Sequence, residues 1–111
     1  MEFENYEQFW LFYVSQHRNA TSRRLHVTGT SLALLCIALA IFVNPWWLLA
    51  PIPIGYTFAW IGHFCFEGNK PATFGHPLWS LRGDFRMYMC MLTGRMAAEL
   101  AKSEKIYPPK K

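Results

Sequence analysis

The stretch LHVTGTSLALLCIALAIFVNPWWLLAPIPIGYTFAWIGHFCF, from Leu25 to Phe66, runs 42 residues without Asp, Glu, Lys or Arg. A helix on the surface of a water-soluble protein needs a charged face, and none can be drawn here. At 1.5 Å per residue the stretch makes about 60 Å of helix, which is two crossings of a hydrocarbon core roughly 30 Å thick. Asn44-Pro45 divides it near the middle. The chain therefore reads as all-α, a membrane helix bundle with two transmembrane helices at about 23–43 and 46–66. Gly29, Thr30, Ser31, Ala33 and Ala40 in the first span, and Gly55 and Gly62 in the second, permit close helix contact. Pro51 and Pro53 remove backbone donors, so the second span should kink or begin its regular helix late. Trp46 and Trp47 stand where an aromatic belt would lie.

Outward from this hairpin the pattern becomes amphipathic. In 3–19, Phe3, Tyr6, Trp10, Tyr13 and His17 recur every three or four residues and share one helical face, suited to a membrane interface. Asn19-Ala20-Thr21-Ser22 is a break, with Thr21 or Ser22 as the expected cap of the next helix. After the hairpin, Gly68-Asn69-Lys70-Pro71 ends the helix, and a loop leads to Pro77, a residue suited to a first helical turn. An amphipathic helix is expected at 77–102, with Leu78, Leu81, Phe85, Tyr88, Leu92 and Met96 as its stripe. Arg82, Arg86 and Arg95 argue against a third crossing. Residues 103–111 read as a loose tail. At 111 residues the whole chain, 1–111, is one domain.

The net charge of +4 flanks the apolar run and is absent from its middle. By the positive-inside rule both termini face the cytoplasm and the Asn44-Pro45 turn faces the other side. In a bacterium the membrane would be the inner membrane, in a eukaryote the endoplasmic reticulum. The basic residues abut the spans instead of forming a dense patch, so they point to membrane lipid as partner and to no nucleic acid. The N-terminal Met1-Glu2-Phe3-Glu4 lacks the positive start of a signal peptide. Cys36, Cys65 and Cys90 are odd in number and far apart, which gives no disulfide framework.

Four histidines remain: His17, His26, His63 and His76. The hairpin brings the start of span one beside the end of span two, so His26 and His63 should lie at one depth. His17 and His76 are on connecting segments at the same end. All four are expected near one cytoplasmic level. Glu67 is four residues after His63, one turn along the same face as Tyr56 and Trp60. Ionisable groups at membrane depth are costly and usually functional. Imidazoles with a carboxylate suit Fe(II), Zn(II) or another first-row metal, and two histidines plus one carboxylate with open positions favour non-haem iron. Each residue also has a plain structural reading, as a packing, capping or hydrogen-bonded group.

Several motifs narrow this choice. They are Phe12-Tyr13-x-x-x-His17-x-Asn19, Arg24-x-His26-x-x-Gly29, and the block from Gly55-Tyr56 through Trp60, Gly62-His63-Phe64, Phe66-Glu67, Asn69 and Pro71-Ala72-Thr73-Phe74. Pro77-x-x-Ser80-x-x-x-Asp84 completes the pattern. Over roughly 9–90 the chain resembles a small membrane-protein family, long catalogued as a domain of unknown function, that includes the fungal iron-dependent 2-hydroxy fatty acid dioxygenase. The resemblance implies fatty-acid α-oxidation: a 2-hydroxy fatty acid and dioxygen react at Fe(II), and a chain one carbon shorter results. It carries the catalytic and metal-binding roles onto His17, His26 and His63, with Glu67 and His76 as further candidate ligands. Tyr13, Asn19, Arg24, Tyr56, Asn69 and Asp84 become candidates for supporting the ligands or touching substrate. Arg23, Arg24, Lys70, Arg82 and Arg86 are candidates to attract the carboxylate. With only two spans, an acyl channel would be minimal or completed by a homo-oligomer.

Two other readings stay open. One is a non-catalytic membrane scaffold or assembly protein with a structural metal or none. The other is a haem- or quinone-linked electron carrier with two axial histidines.

Overall fold

The computed structural model describes residues 3–71 and 75–108, and over these the chain forms five α-helices and no strand. Helix α1 spans Tyr6–Ser15, where Asn5 Oδ1 accepts the Gln8 amide at 2.9 Å to satisfy an orphan donor of the first turn. It is shorter than the expected 3–19, because the chain turns at Gln16–Arg18 to deliver Asn19 as the next cap. Asn19 Oδ1 accepts from the amides of Thr21 at 2.9 Å and Ser22 at 3.1 Å, so the cap falls before the expected Thr21 or Ser22. From there α2 runs Ala20–Phe42.

The second span starts late, as its prolines require. Pro45–Leu49 is a 3₁₀ turn, α3 is Pro51–Ile61, and Gly62–Glu67 winds as a π-helical turn. Pro51 sits in the first turn of α3, where its missing N–H costs nothing. The two arms approach at Gly29, where a Cβ would meet Phe58 Cβ at 2.7 Å, so only glycine lets the arms come this close. Only 22% of the apolar window of α2 and 11% of that of the second arm are buried. A core helix of a soluble protein would bury most of such a window, and Phe42 at 84% and Trp46 at 75% exposure stand fully open. Both arms are 23 residues, about 34 Å if helical throughout, and are long and apolar enough to cross a membrane. The two arms are thus candidate membrane spans, and their exposed apolar surface suggests membrane association through this hairpin.

The packed core lies beside the hairpin, among α1, α4 (Pro77–Thr93) and α5 (Met96–Ile106). Tyr6, Phe9, Trp10, Tyr13, Val14, Met87, Cys90 and Met96 form it. The aromatic face of α1 is thus internal and not laid on a lipid surface. Trp10 Nε1 donates to Glu99 at 2.9 Å, and Ser103 Oγ donates to the Leu11 carbonyl at 2.7 Å, tying α5 to α1.

The C-terminal region differs from expectation in two respects. The single helix expected at 77–102 is broken at Gly94, whose φ of +75° is a left-handed cap that glycine accepts without strain. Residues 103–106 continue α5 instead of joining a loose tail, and 109–111 lie outside the described residues. The apolar stripe of α4 is exposed at Leu78, Leu81, Phe85 and Leu92, while Ser80, Gly83, Met87 and Cys90 are buried. Small inward residues let α4 sit close on α1: a Cβ at Gly83 would meet the Tyr13 ring at 3.2 Å.

Candidate metal centre

Three of the four histidines meet. His17 sits just past α1, His26 two turns into α2, and His63 in the π turn at the end of the second arm. All three are buried, and one ring nitrogen from each lies within 4.8 Å of the others. The hairpin accounts for His26 and His63, and the sharp Gln16–Asn19 corner brings in His17.

The hydrogen bonds assign the tautomers. His17 Nδ1 faces the Tyr13 carbonyl at 2.6 Å, and His26 Nδ1 faces the Ser22 carbonyl at 2.9 Å. His63 Nδ1 faces Asn69 Oδ1 at 2.6 Å, while Asn69 Nδ2 donates to the Gln16 carbonyl at 3.0 Å, which sets the orientation of that amide. A carbonyl oxygen can only accept, so each Nδ1 carries the proton and each Nε2 carries a lone pair. His17 Nε2 and His26 Nε2 are 3.2 Å apart. Two lone pairs at this separation repel unless a cation lies between them. Two ligands on one ion, with bonds of about 2.1 Å and an angle between square and tetrahedral, give nearly this spacing. The donor set therefore fits a first-row metal.

The surroundings keep the imidazoles neutral and oriented. Burial first, then the neighbouring His26 and His63, hold His17 well below the ordinary imidazole range. The Tyr13 ring stacks on His17 with centroids 4.1 Å apart, and its hydroxyl donates to Asp84 Oδ1. Burial pushes Asp84 up to about 6, with the Tyr13 hydrogen bond opposing. Burial and then the Asp84 charge push Tyr13 well above the ordinary phenol range.

An apolar cavity of about 330 Å³ leads away from the centre. His26, His63, Ser80 and Asp84 line its polar end; Ala33, Ile37, Ile52, Gly55 and Phe85 line the rest. From His26 to Ile37 it follows α2 for about 16 Å. Tyr56 and Trp60 stack at 5.9 Å along one wall.

The other expected ligands lie elsewhere. Glu67 Oε1 accepts the Asn19 amide at 2.7 Å, so the carboxylate clasps the start of α2 and does not join the three histidines. His76 stacks on Trp79 at 5.5 Å, packs edge-on against Phe3 and lies tilted against Phe9, at the margin of the aromatic core. It does not join the group formed by the other three. Asn19 is a helix cap, and Arg24 is exposed on α2. Arg23 Nη1 donates to the carbonyls of His17 at 2.8 Å and Arg18 at 2.7 Å, Arg86 pairs with Glu7 and Glu99, and Arg82 lies over the Tyr6 ring. Of the five basic candidates, Arg24, Lys70 and Arg82 are exposed, and Arg82 is engaged with the Tyr6 ring.

Sequence reasoning named Ser80 only as part of a motif and did not single out the Ser22 and Gln16 carbonyls or Gly83. The spacings Ser22–His26 and Ser80–Asp84, each four residues and so one helical turn, were the available signals. Two axial haem ligands would need their nitrogens on opposite faces of a macrocycle, which the 3.2 Å His17–His26 approach does not fit.

A protein-family model described as 2-hydroxy-palmitic acid dioxygenase Mpo1-like matches residues 3–96. No curated protein and no solved structure matches the chain.

Proposed function

The chain belongs to the Mpo1-like family, and from that premise we propose that it is an Fe(II)-dependent dioxygenase that shortens 2-hydroxy fatty acids by one carbon at the membrane interface. The observation that carries the reading is the convergence of three buried histidines, two of which, His26 and His63, line an apolar cavity. A fatty acid has the same polarity pattern, with its carboxyl and 2-hydroxyl at one end and hydrocarbon beyond.

His17, His26 and His63 would hold the ion, and Tyr13, Ser22, Asn69 and Gln16 would keep the rings aimed. Fe(II), when bound, supplies the electrons that open dioxygen to reaction with a C–C bond and an electrophile for the acid and hydroxyl oxygens. The shortened acid, carbon dioxide and water balance the substrate and dioxygen. The chain's own part is positional. The cavity wall of Ala33, Ile37, Ile52 and Gly55 receives the tail and excludes water, and the buried histidines need no proton removed before binding metal. The positive rims support a cytoplasmic position for this end of the hairpin.

A structural metal site is closed by four protein ligands, whereas three leave a position for substrate. The test is anaerobic purification and metal analysis, followed by turnover of a 2-hydroxy fatty acid with Fe(II) and oxygen. Near-stoichiometric iron with a product one carbon shorter supports the reading. A folded, iron-competent protein that yields no shortened acid overturns it and favours a scaffold role.

A further inference from the structure

Asp84 faces the same cavity as His26 and His63 from the opposite wall, yet it does not belong to the histidine group. It lies one turn after Ser80, which also lines the cavity, so both polar groups of α4 look into it. Its Oδ1 takes the Tyr13 hydroxyl, and among the described residues Oδ2 takes no hydrogen bond. Tyr13 is itself immobile: it is 1% exposed, stacked on His17 and pressed against Gly83. The carboxyl is thus aimed rather than free to rotate, with one acceptor left over at the polar end of an otherwise apolar space.

We infer that Asp84 is the specificity-determining residue for the 2-hydroxyl, accepting its hydrogen bond and separating 2-hydroxy acids from plain fatty acids. This rests on the fatty-acid reading above. Asp84 is half-buried at the cavity wall, and a bound acyl chain would seal its second oxygen from water. An analogue that cannot donate then leaves that acceptor unpaired, which is expensive. An ion held by the three histidines would take the hydroxyl oxygen, whereas Asp84 would take its hydrogen, so the Asp84 share is the part of the preference lost on its replacement. The Tyr13 clamp also links the acceptor to the His17 ring, which fixes its register to the metal.

The test uses the full-length chain in detergent, loaded with zinc so that nothing turns over. Binding of 2-hydroxypalmitic, 2-fluoropalmitic and palmitic acid is followed by tryptophan fluorescence, since Trp60 lines the cavity. Fluorine matches the hydroxyl in size but cannot donate. The wild-type chain should prefer the hydroxy acid over the fluoro acid, and Asp84→Asn should reduce that ratio about tenfold, as for a hydrogen bond to a charged group, with zinc still bound. Tyr13→Phe, which unclamps the carboxyl, should lower the ratio as well and serves if Asp84→Asn does not fold. Equal wild-type binding of the two acids, or a ratio unchanged in the folded variant, overturns the inference while leaving the fatty-acid reading intact. A wild-type chain that binds none of the three overturns both.

Discussion

His17 and His26 are nine residues apart in the chain, in different segments, and their Nε2 atoms are 3.2 Å apart with both Nδ1 positions already committed to carbonyls. This pairing costs the empty protein energy that a bound cation recovers. Replacing His17, His26 or His63 with Ala should therefore abolish stoichiometric metal binding in each case. Inductively coupled plasma analysis of protein purified in detergent reads this directly, and a variant that retains a full equivalent would remove that residue from the ligand set.

Asn69 should matter nearly as much as a ligand's neighbour can. It orients His63 and is itself held by the Gln16 carbonyl. Asn69→Ala is expected to weaken metal affinity about 10- to 100-fold without abolishing it. Competition with a calibrated chelator would measure the loss; unaltered affinity would show that the ring needs no such support.

The cavity should be separable from the metal. Gly55 lines it, and a Cβ there meets nothing within 4 Å. Gly55→Leu should keep fold and metal while shifting binding toward shorter acyl chains. A chain-length series that does not move would place the tail elsewhere.

Two glycines on facing arms should respond oppositely to alanine. At Gly29 the new methyl meets Phe58 Cβ at 2.7 Å, so overpacking by about 1–3 kcal/mol outweighs the better helix propensity. At Gly55 only the propensity gain of about 1 kcal/mol remains. Thermal midpoints in one detergent should fall for the first and rise or hold for the second.

Acid should destabilise the metal-free protein through His17. Its folded value lies well below the ordinary imidazole value of about 6.5. The unfolded chain therefore binds the proton first, and stability present above that pH is lost as pH falls through it. Asp84 acts in the opposite direction, since its folded value is raised to about 6 and its ionisation removes stability as pH rises. Between pH 7 and 5 the midpoint should fall, and it should fall more steeply in Asp84→Asn. A flat or inverted profile in that variant would contradict the assignment.

Much of the hairpin was legible because its signal is one-dimensional. The uncharged run, the Asn44-Pro45 break and the late-starting second arm follow from residue type and the thickness of a bilayer. Helix ends were less legible. Asn19 outcompeted Thr21 and Ser22 as cap because its side chain reaches two amides, and Gly94 ended α4 inside what periodicity alone reads as one helix. The α4 stripe illustrates the same weakness: Leu78, Leu81, Phe85 and Leu92 are exposed while Met96 joins the core, and Ser80 and Gly83 face in, since close packing on Tyr13 demanded room at Gly83.

The sequence by itself determined the span count and the presence of chemistry-bearing residues at one end of the hairpin, because composition and length are properties of the chain alone. It also made His26 and His63 neighbours, since any two-span hairpin does so. Which residues join them was decided only in three dimensions. The Gln16–Asn19 corner turns His17 inward, the π turn aims His63 at Asn69, Glu67 is spent on the Asn19 amide, and His76 packs at the margin of the aromatic core. Each of these depends on the direction of a side chain, which is set by partners far away in sequence and therefore exists only once the helices have packed.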